Sequence, residues 1–206
     1  MMRFHTVLIL SLLAAAPAVG QASAPAQATP AAANPVRATA PGAGRIFLKV
    51  DEALELAFPG CDIERGTVYL TDEERKRVEQ LAGSKLGSGI VHPYVALREG
   101  QLVGTAFVDV HKVRTLRESL FVVVSPKGRV QRLEVLAFAE PLDYLPRGSW
   151  FGQFKGKQLD EELNLDRGIR GVTGATLSAR ATTDAVRRTL ALHELLGAPP
   201  TGGARQ

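Results

Sequence analysis

The residues of this chain best suited to hold a charged ligand are Thr173, Gly174, Ala175, Thr176, Leu177 and Ser178. From Ser178 to Leu196, Ala185, Val186, Leu190, Leu192 and Leu196 fall on one stripe, the pattern of an amphipathic helix. Gly197 and Pro199 mark its end, and Thr176 and Ser178 are candidate N-caps. Gly174 and Ala175 carry almost no side chain, so a ligand can approach the amides that a first helical turn leaves unpaired. Those amides and the positive end of the helix dipole together make an anion site. A simple capped turn has the same composition, and residue types alone leave both readings open.

Other chemistry-bearing residues have ordinary structural readings beside the functional ones. His111, with Lys112 and Arg114, follows a strand, where an imidazole can bond a ligand or give up a proton. Trp150, Phe151 and Phe154 offer rings for stacking or for burial against a sheet. Arg170 and Arg180 flank the Thr173–Ser178 run and suit a phosphate, although solvated surface is the commoner fate of arginine. His92 and His193 read as structural, and Asp160, Glu161 and Glu162 as a solvated helix face. Cys61 is the only cysteine, which excludes an intrachain disulfide and a thiolate metal cluster. The nucleotide-binding, haem, hydrolase and zinc-helix motifs are all missing, so the sequence assigns no catalytic residue and no metal ligand.

These candidates need a scaffold, and the central sequence supplies one. Val91–Arg98, Leu102–Val110, Leu120–Ser125 and Val130–Phe138 read as strands of an antiparallel meander, with Glu99-Gly100-Gln101 and Pro126-Lys127-Gly128 among the turns. Phe121-Val122-Val123-Val124 is apolar on both faces, which predicts a central strand covered by helix on at least one side. Upstream, Ala53–Phe58 suggests a short helix ending at Pro59-Gly60. Thr71 and Glu74 make a capping box for a second, with Val78, Leu81 and Ala82 on its apolar face and Gly83 at its end. The expected class is α+β, one antiparallel meander packed with helices.

The termini read differently. Residues 1–22 have a short basic start, an apolar run from Val7 to Val19 and small residues beyond, the pattern of a signal peptide and hence of export. Residues 23–44 are rich in Ala, Pro, Gln and Thr without hydrophobic periodicity, as in a disordered linker. The expected domain is 45–197, with 198–206 a flexible tail. The net charge of +4 comes from basic residues scattered along the chain, with no tract interleaved with aromatics, so nucleic acid is not an expected partner.

Val172-Thr173-Gly174-Ala175-Thr176-Leu177-Ser178 and the helix after it resemble the flavinylation motif of the FMN-binding domain family. That family includes the G subunit of Rnf complexes and the C subunit of the sodium-translocating NADH:quinone oxidoreductase. The resemblance implies FMN as cofactor, joined by a phosphoester to Thr176, with Thr173, Gly174, Ala175, Leu177 and Ser178 around it. It further implies a flavin transferase that uses FAD, redox partner proteins that include a membrane electron-transfer complex, and a bacterial periplasm. The family carries an acidic residue three positions before the Ser/Thr, where this chain has Arg170; Asp166 lies four residues further upstream. Relay of electrons is the implied function. A noncovalent FMN or phospholigand sensor and a structural envelope domain are the alternatives.

Overall fold

The structure is a computed structural model and describes residues 44–197. The expected signal peptide, all of the expected linker except Gly44, and the expected tail lie outside the described residues.

In chain order the elements are β1 (Arg45–Ile46), α1 (Val50–Ala57), β2 (Asp62–Arg65), β3 (Val68–Tyr69), α2 (Asp72–Ala82), β4 (Ile90–Val91), β5 (Tyr94–Arg98) and β6 (Gln101–Lys112). Then come β7 (Arg117–Val124), β8 (Val130–Phe138), a 3-10 turn at Leu142–Tyr144, α3 (Gly148–Phe151), a second 3-10 turn at Gly152–Phe154, and α4 (Thr176–Leu196). Six strands form one sheet in the order β1-β8-β7-β6-β5-β2, and β3 and β4 form a separate ribbon. Every pairing between these strands is antiparallel, which gives the α+β class expected from the sequence.

Local chemistry explains the elements. Thr71 Oγ1 accepts from the Glu74 amide at 3.2 Å while the Glu74 carboxylate accepts from the Thr71 amide at 2.9 Å, so α2 opens with both halves of a capping box. The hairpin between β5 and β6 turns at Glu99 (φ 52°) and Gly100 (φ 75°), the two positive values that a two-residue turn of primed type requires. The strand expected over Val91–Arg98 is two strands. Pro93 has no amide to donate, so the ladder breaks there, and β4 pairs with β3 while β5 joins the main sheet.

The central strand has helix on both sides. Leu120, Val122 and Val124 of β7 belong to a core shared with α2 and α4, and Phe121 and Val123 point into a second core against α1. All five stripe residues of α4 are buried, as are Arg188 and His193. Arg187 fastens α4 to its surroundings by donating to the carbonyls of Leu81 and Ala82 at the end of α2, and of Asp160 and Leu163. Asp160, Glu161 and Glu162 therefore lie not on a helix but in a loop, where Asp160 Oδ1 takes the Leu163 amide at 3.0 Å. A short acidic side chain serves a turn better than a helix interior.

Trp150 and Phe154 are buried, with Trp150 packed edge-on against Phe151 and Phe154 at centroid distances of 5.2 Å. They are core residues. Trp150 Nε1 also donates to the Arg170 carbonyl at 2.6 Å, and Gln153 Oε1 accepts from the Arg170 amide at 2.9 Å. The backbone entering the Thr173–Ser178 run is thus held at Arg170 from both sides.

Candidate functional site

α4 begins at Thr176, two residues before the Ser178 from which the sequence pattern runs, and this changes the role of both hydroxyls. Ala175 is the N-cap (φ −128°, ψ 27°) and makes no side-chain cap bond, so neither Thr176 nor Ser178 caps the helix. Thr176 Oγ1 instead donates back to the Val172 carbonyl at 3.2 Å. Ser178 is buried, and its Oγ has no partner among the described residues. The amides of Thr176, Leu177 and Ser178 are likewise without a partner there, since the first intrahelical bond runs from Ala179 to Ala175 at 2.9 Å. Gly174 takes φ +84° with open space where a Cβ would stand, so the backbone is bare where the helix begins.

A groove of about 220 Å³ runs beside this helix start, lined by Gly174, Ala175, Thr176, Leu177, Ser178, Arg114 and Tyr144. Five of the six residues singled out in the motif meet there. Thr173 is exposed and does not line it. Arg170 and Arg180, the cations that the sequence offers for a phosphate, are also exposed and off its wall; Arg170 borders a separate depression with Ser149, Trp150, Gln153 and Lys157. The cation at the groove is Arg114, from the loop between β6 and β7, with its guanidinium carbon 4.7 Å from the Tyr144 ring centroid. Sequence reasoning names Arg114 only as a neighbour of His111 and passes over Tyr144. No local pattern joins residues brought together from a hairpin and a 3-10 turn.

Glu140 holds the Arg114 loop in place. Its Oε1 accepts from the amides of Leu116 (2.8 Å) and Thr115 (2.7 Å) and from the Thr115 hydroxyl (3.3 Å). Those bonds keep its carboxyl below the usual range despite the opposing effect of burial.

His111 sits in a different place, between β6 and β7 under α4. Nδ1 is 2.9 Å from Asp109 and Nε2 is 3.0 Å from Glu118, which lies directly across the ladder. Arg188 meets Asp109 with two bonds of 2.9 and 3.0 Å, and Thr182 donates to Glu118 at 3.3 Å. Burial pulls the His111 imidazole down, but hydrogen bonds accepted by the two carboxylates outweigh it and raise its pKa from 6.5 to about 8. Asp109 is pushed up by burial and held below its ordinary value by His111 and Arg188. Because the folded value of His111 exceeds the unfolded one, its stabilisation is complete below pH 6.5 and disappears as pH rises through about 8. We expect unfolding free energy to drop by about 2 kcal/mol between pH 6 and 9 from this group. Urea titrations of wild type and His111→Gln across that range check it, and equal slopes for the two proteins would refute it.

The two other described histidines are structural. His92 shares a bond of 3.2 Å with Thr67, and burial holds His193 below its ordinary value. Cys61 is a partly buried free thiol with Arg98 3.4 Å from its sulfur. Among the described residues no group of His, Cys, Asp and Glu is arranged to hold a metal, and no helix is long and apolar enough to cross a membrane.

The sequence profile of the family described as "FMN-binding domain" matches residues 117–191. Over that stretch, 75 of the 206 residues, the chain is similar to the family. The match takes in β7, β8 and the first 16 of the 21 residues of α4 with Thr173–Ser178, and it leaves out the Arg114 loop. Among solved structures, the crystal structure of Shewanella oneidensis NqrC is similar, with 16% identity over 65% of this chain and 83% of that one and a TM-score of 0.47. No curated protein matches the chain. The cofactor of the FMN-binding domain is FMN, and the residues present fit its phosphate. Three unpaired amides, an orphaned buried hydroxyl and an open glycine gather at the exposed Thr176.

Proposed function

We propose that this chain is an exported electron-transfer flavoprotein whose FMN is joined through a phosphoester to Thr176. One observation carries the covalent reading. Thr176 is exposed beside a groove of about 220 Å³, below the roughly 300–1,000 Å³ with which proteins retain a diffusible ligand by burial. A tether removes the need for a deep pocket.

Each residue has a part in this reading. The Thr176 hydroxyl, turned by its bond to the Val172 carbonyl, keeps its lone pairs for phosphorus. With FAD as donor and a flavin transferase as catalyst, Thr176 Oγ1 bonds to the FMN phosphorus, the pyrophosphate link breaks, AMP leaves and the hydroxyl proton is released. The amides of Thr176, Leu177 and Ser178 hold the phosphate oxygens at the positive end of α4, and bare Gly174 lets the group approach. Arg170 stands where the family motif has an acid, with its backbone held by Trp150 and Gln153 and its side chain exposed. The bound cofactor supplies reversible uptake of one or two electrons, while the protein sets distance, solvent access and charge. The signal-like residues 1–22 support a periplasmic location, and redox proteins, including a membrane complex, are the proposed partners.

Intact mass of the mature protein, made in a periplasm together with a flavin transferase, tests the assignment. Wild type is expected to gain the mass of phosphoester-linked FMN, Thr176→Ser to keep it, and Thr176→Ala to lose it completely. An unmodified wild type, or a modified Thr176→Ala, overturns the covalent attachment.

A further inference from the structure

The groove wall beside Thr176 carries one charged side chain, Arg114, and no carboxylate. The guanidinium lies over the Tyr144 ring at 4.7 Å, and no acid pairs with it among the described residues. Its loop is fixed at both ends. Above, Glu140 takes the amides of Thr115 and Leu116, and Val113 donates to the Leu116 carbonyl at 3.0 Å. Below, His111 and Glu118 bond across the two strands. A guanidinium that forms no ion pair with any described acid is suited to a negative charge that comes and goes on a ligand.

We propose that Arg114 faces the ring system of the cofactor and favours its reduced form, an inference that rests on the FMN reading above. Reduction by a redox partner brings two electrons. When one proton accompanies them, the ring system gains one net negative charge; when two do, it stays neutral. A flat guanidinium already lying on an aromatic face offsets that charge without rearranging. Its N–H groups also suit ring heteroatoms as hydrogen-bond acceptors. The phosphate is served separately by the amides of α4, so Arg114 acts on the redox end. Exposure to solvent and salt moderates the effect.

Spectroelectrochemical titration of the flavinylated mature chain tests this, comparing wild type, Arg114→Gln, Arg114→Lys and Arg180→Gln, the last an exposed arginine off the groove wall. Arg114→Gln is expected to lower the ratio of reduced to oxidised cofactor about tenfold at fixed potential, or about 30 mV for a two-electron couple. Arg114→Lys keeps the charge and stays near wild type, and Arg180→Gln does not shift. An unchanged potential in Arg114→Gln, or an equal shift in Arg180→Gln, overturns the proposal. If wild type carries no attached FMN, only the covalent reading falls. Affinities of the same four proteins for reduced and oxidised free FMN then give the ratio directly, with the same expected loss in Arg114→Gln. A wild type that binds neither form overturns the role of Arg114 together with the FMN reading.

Discussion

Arg188→Ala is expected to cost about 3–5 kcal/mol of stability, the range for breaking a buried ion pair from one side. Only 8% of the Arg188 side chain and 12% of the Asp109 side chain are exposed, and the two meet with a pair of bonds. Removing the guanidinium leaves Asp109 with His111 as its only charged partner, and His111 must also serve Glu118, which is fully buried. Two carboxylates would then share one imidazolium. Replacing both partners, Arg188→Met with Asp109→Leu, should recover most of the loss, because matched apolar groups remove the desolvation cost along with the attraction. Urea unfolding of the three proteins measures this as a shift in midpoint at constant slope. A single-variant loss below about 1 kcal/mol, the scale of an exposed pair, would show that the network is not the anchor between sheet and α4.

Trp150→Ala should cost a similar amount, about 3–5 kcal/mol, and it should also reach the cofactor site. The indole fills space against Phe151 and Phe154, and its N–H binds the Arg170 carbonyl at 2.6 Å. Trp150→Phe separates the two contributions, since it keeps most of the packing and leaves that carbonyl without its donor, at about 1–3 kcal/mol. With Arg170 released on one side, the backbone entering the Thr173–Ser178 run is held through Gln153 alone. The flavinylation proposed for Thr176 should fall in both variants, and more than the fraction unfolded accounts for. Intact mass on folded protein, with unfolding curves in parallel, decides this; full modification of folded Trp150→Phe would confine the tryptophan to packing.

The parts legible in the sequence were those whose signal is local. The Thr71–Glu74 box, the Glu99-Gly100 turn and the doubly apolar run Phe121–Val124 each state their geometry within a few residues. β1, β2 and β3 leave no signal in the sequence because strands of two to four residues with exposed or charged positions show no alternation. The start of α4 was misplaced because its first turn carries hydroxyls whose bonds run backwards, to Val172, or nowhere, at Ser178. Apolar periodicity also gave no hint that Arg187 and Arg188 are bound on all sides, the first by four carbonyls and the second by Asp109 and Ser84. Likewise Arg114 and Tyr144 meet only through tertiary structure, which single-sequence spacing does not encode.

The position of α4 in the chain bears on the order of maturation. It is the last described element, yet it covers the sheet face formed by Phe107, Leu120, Val122 and Val124, and its Arg187 reaches back 105 residues to Ala82. That half of the core cannot close until α4 has emerged and docked, and contacts of such long sequence separation form late. The residue proposed to receive FMN is the first residue of this helix. On the attachment proposed above, a transferase would meet an ordered helix start only after α4 has docked, so a loaded cofactor would mark molecules that have finished folding.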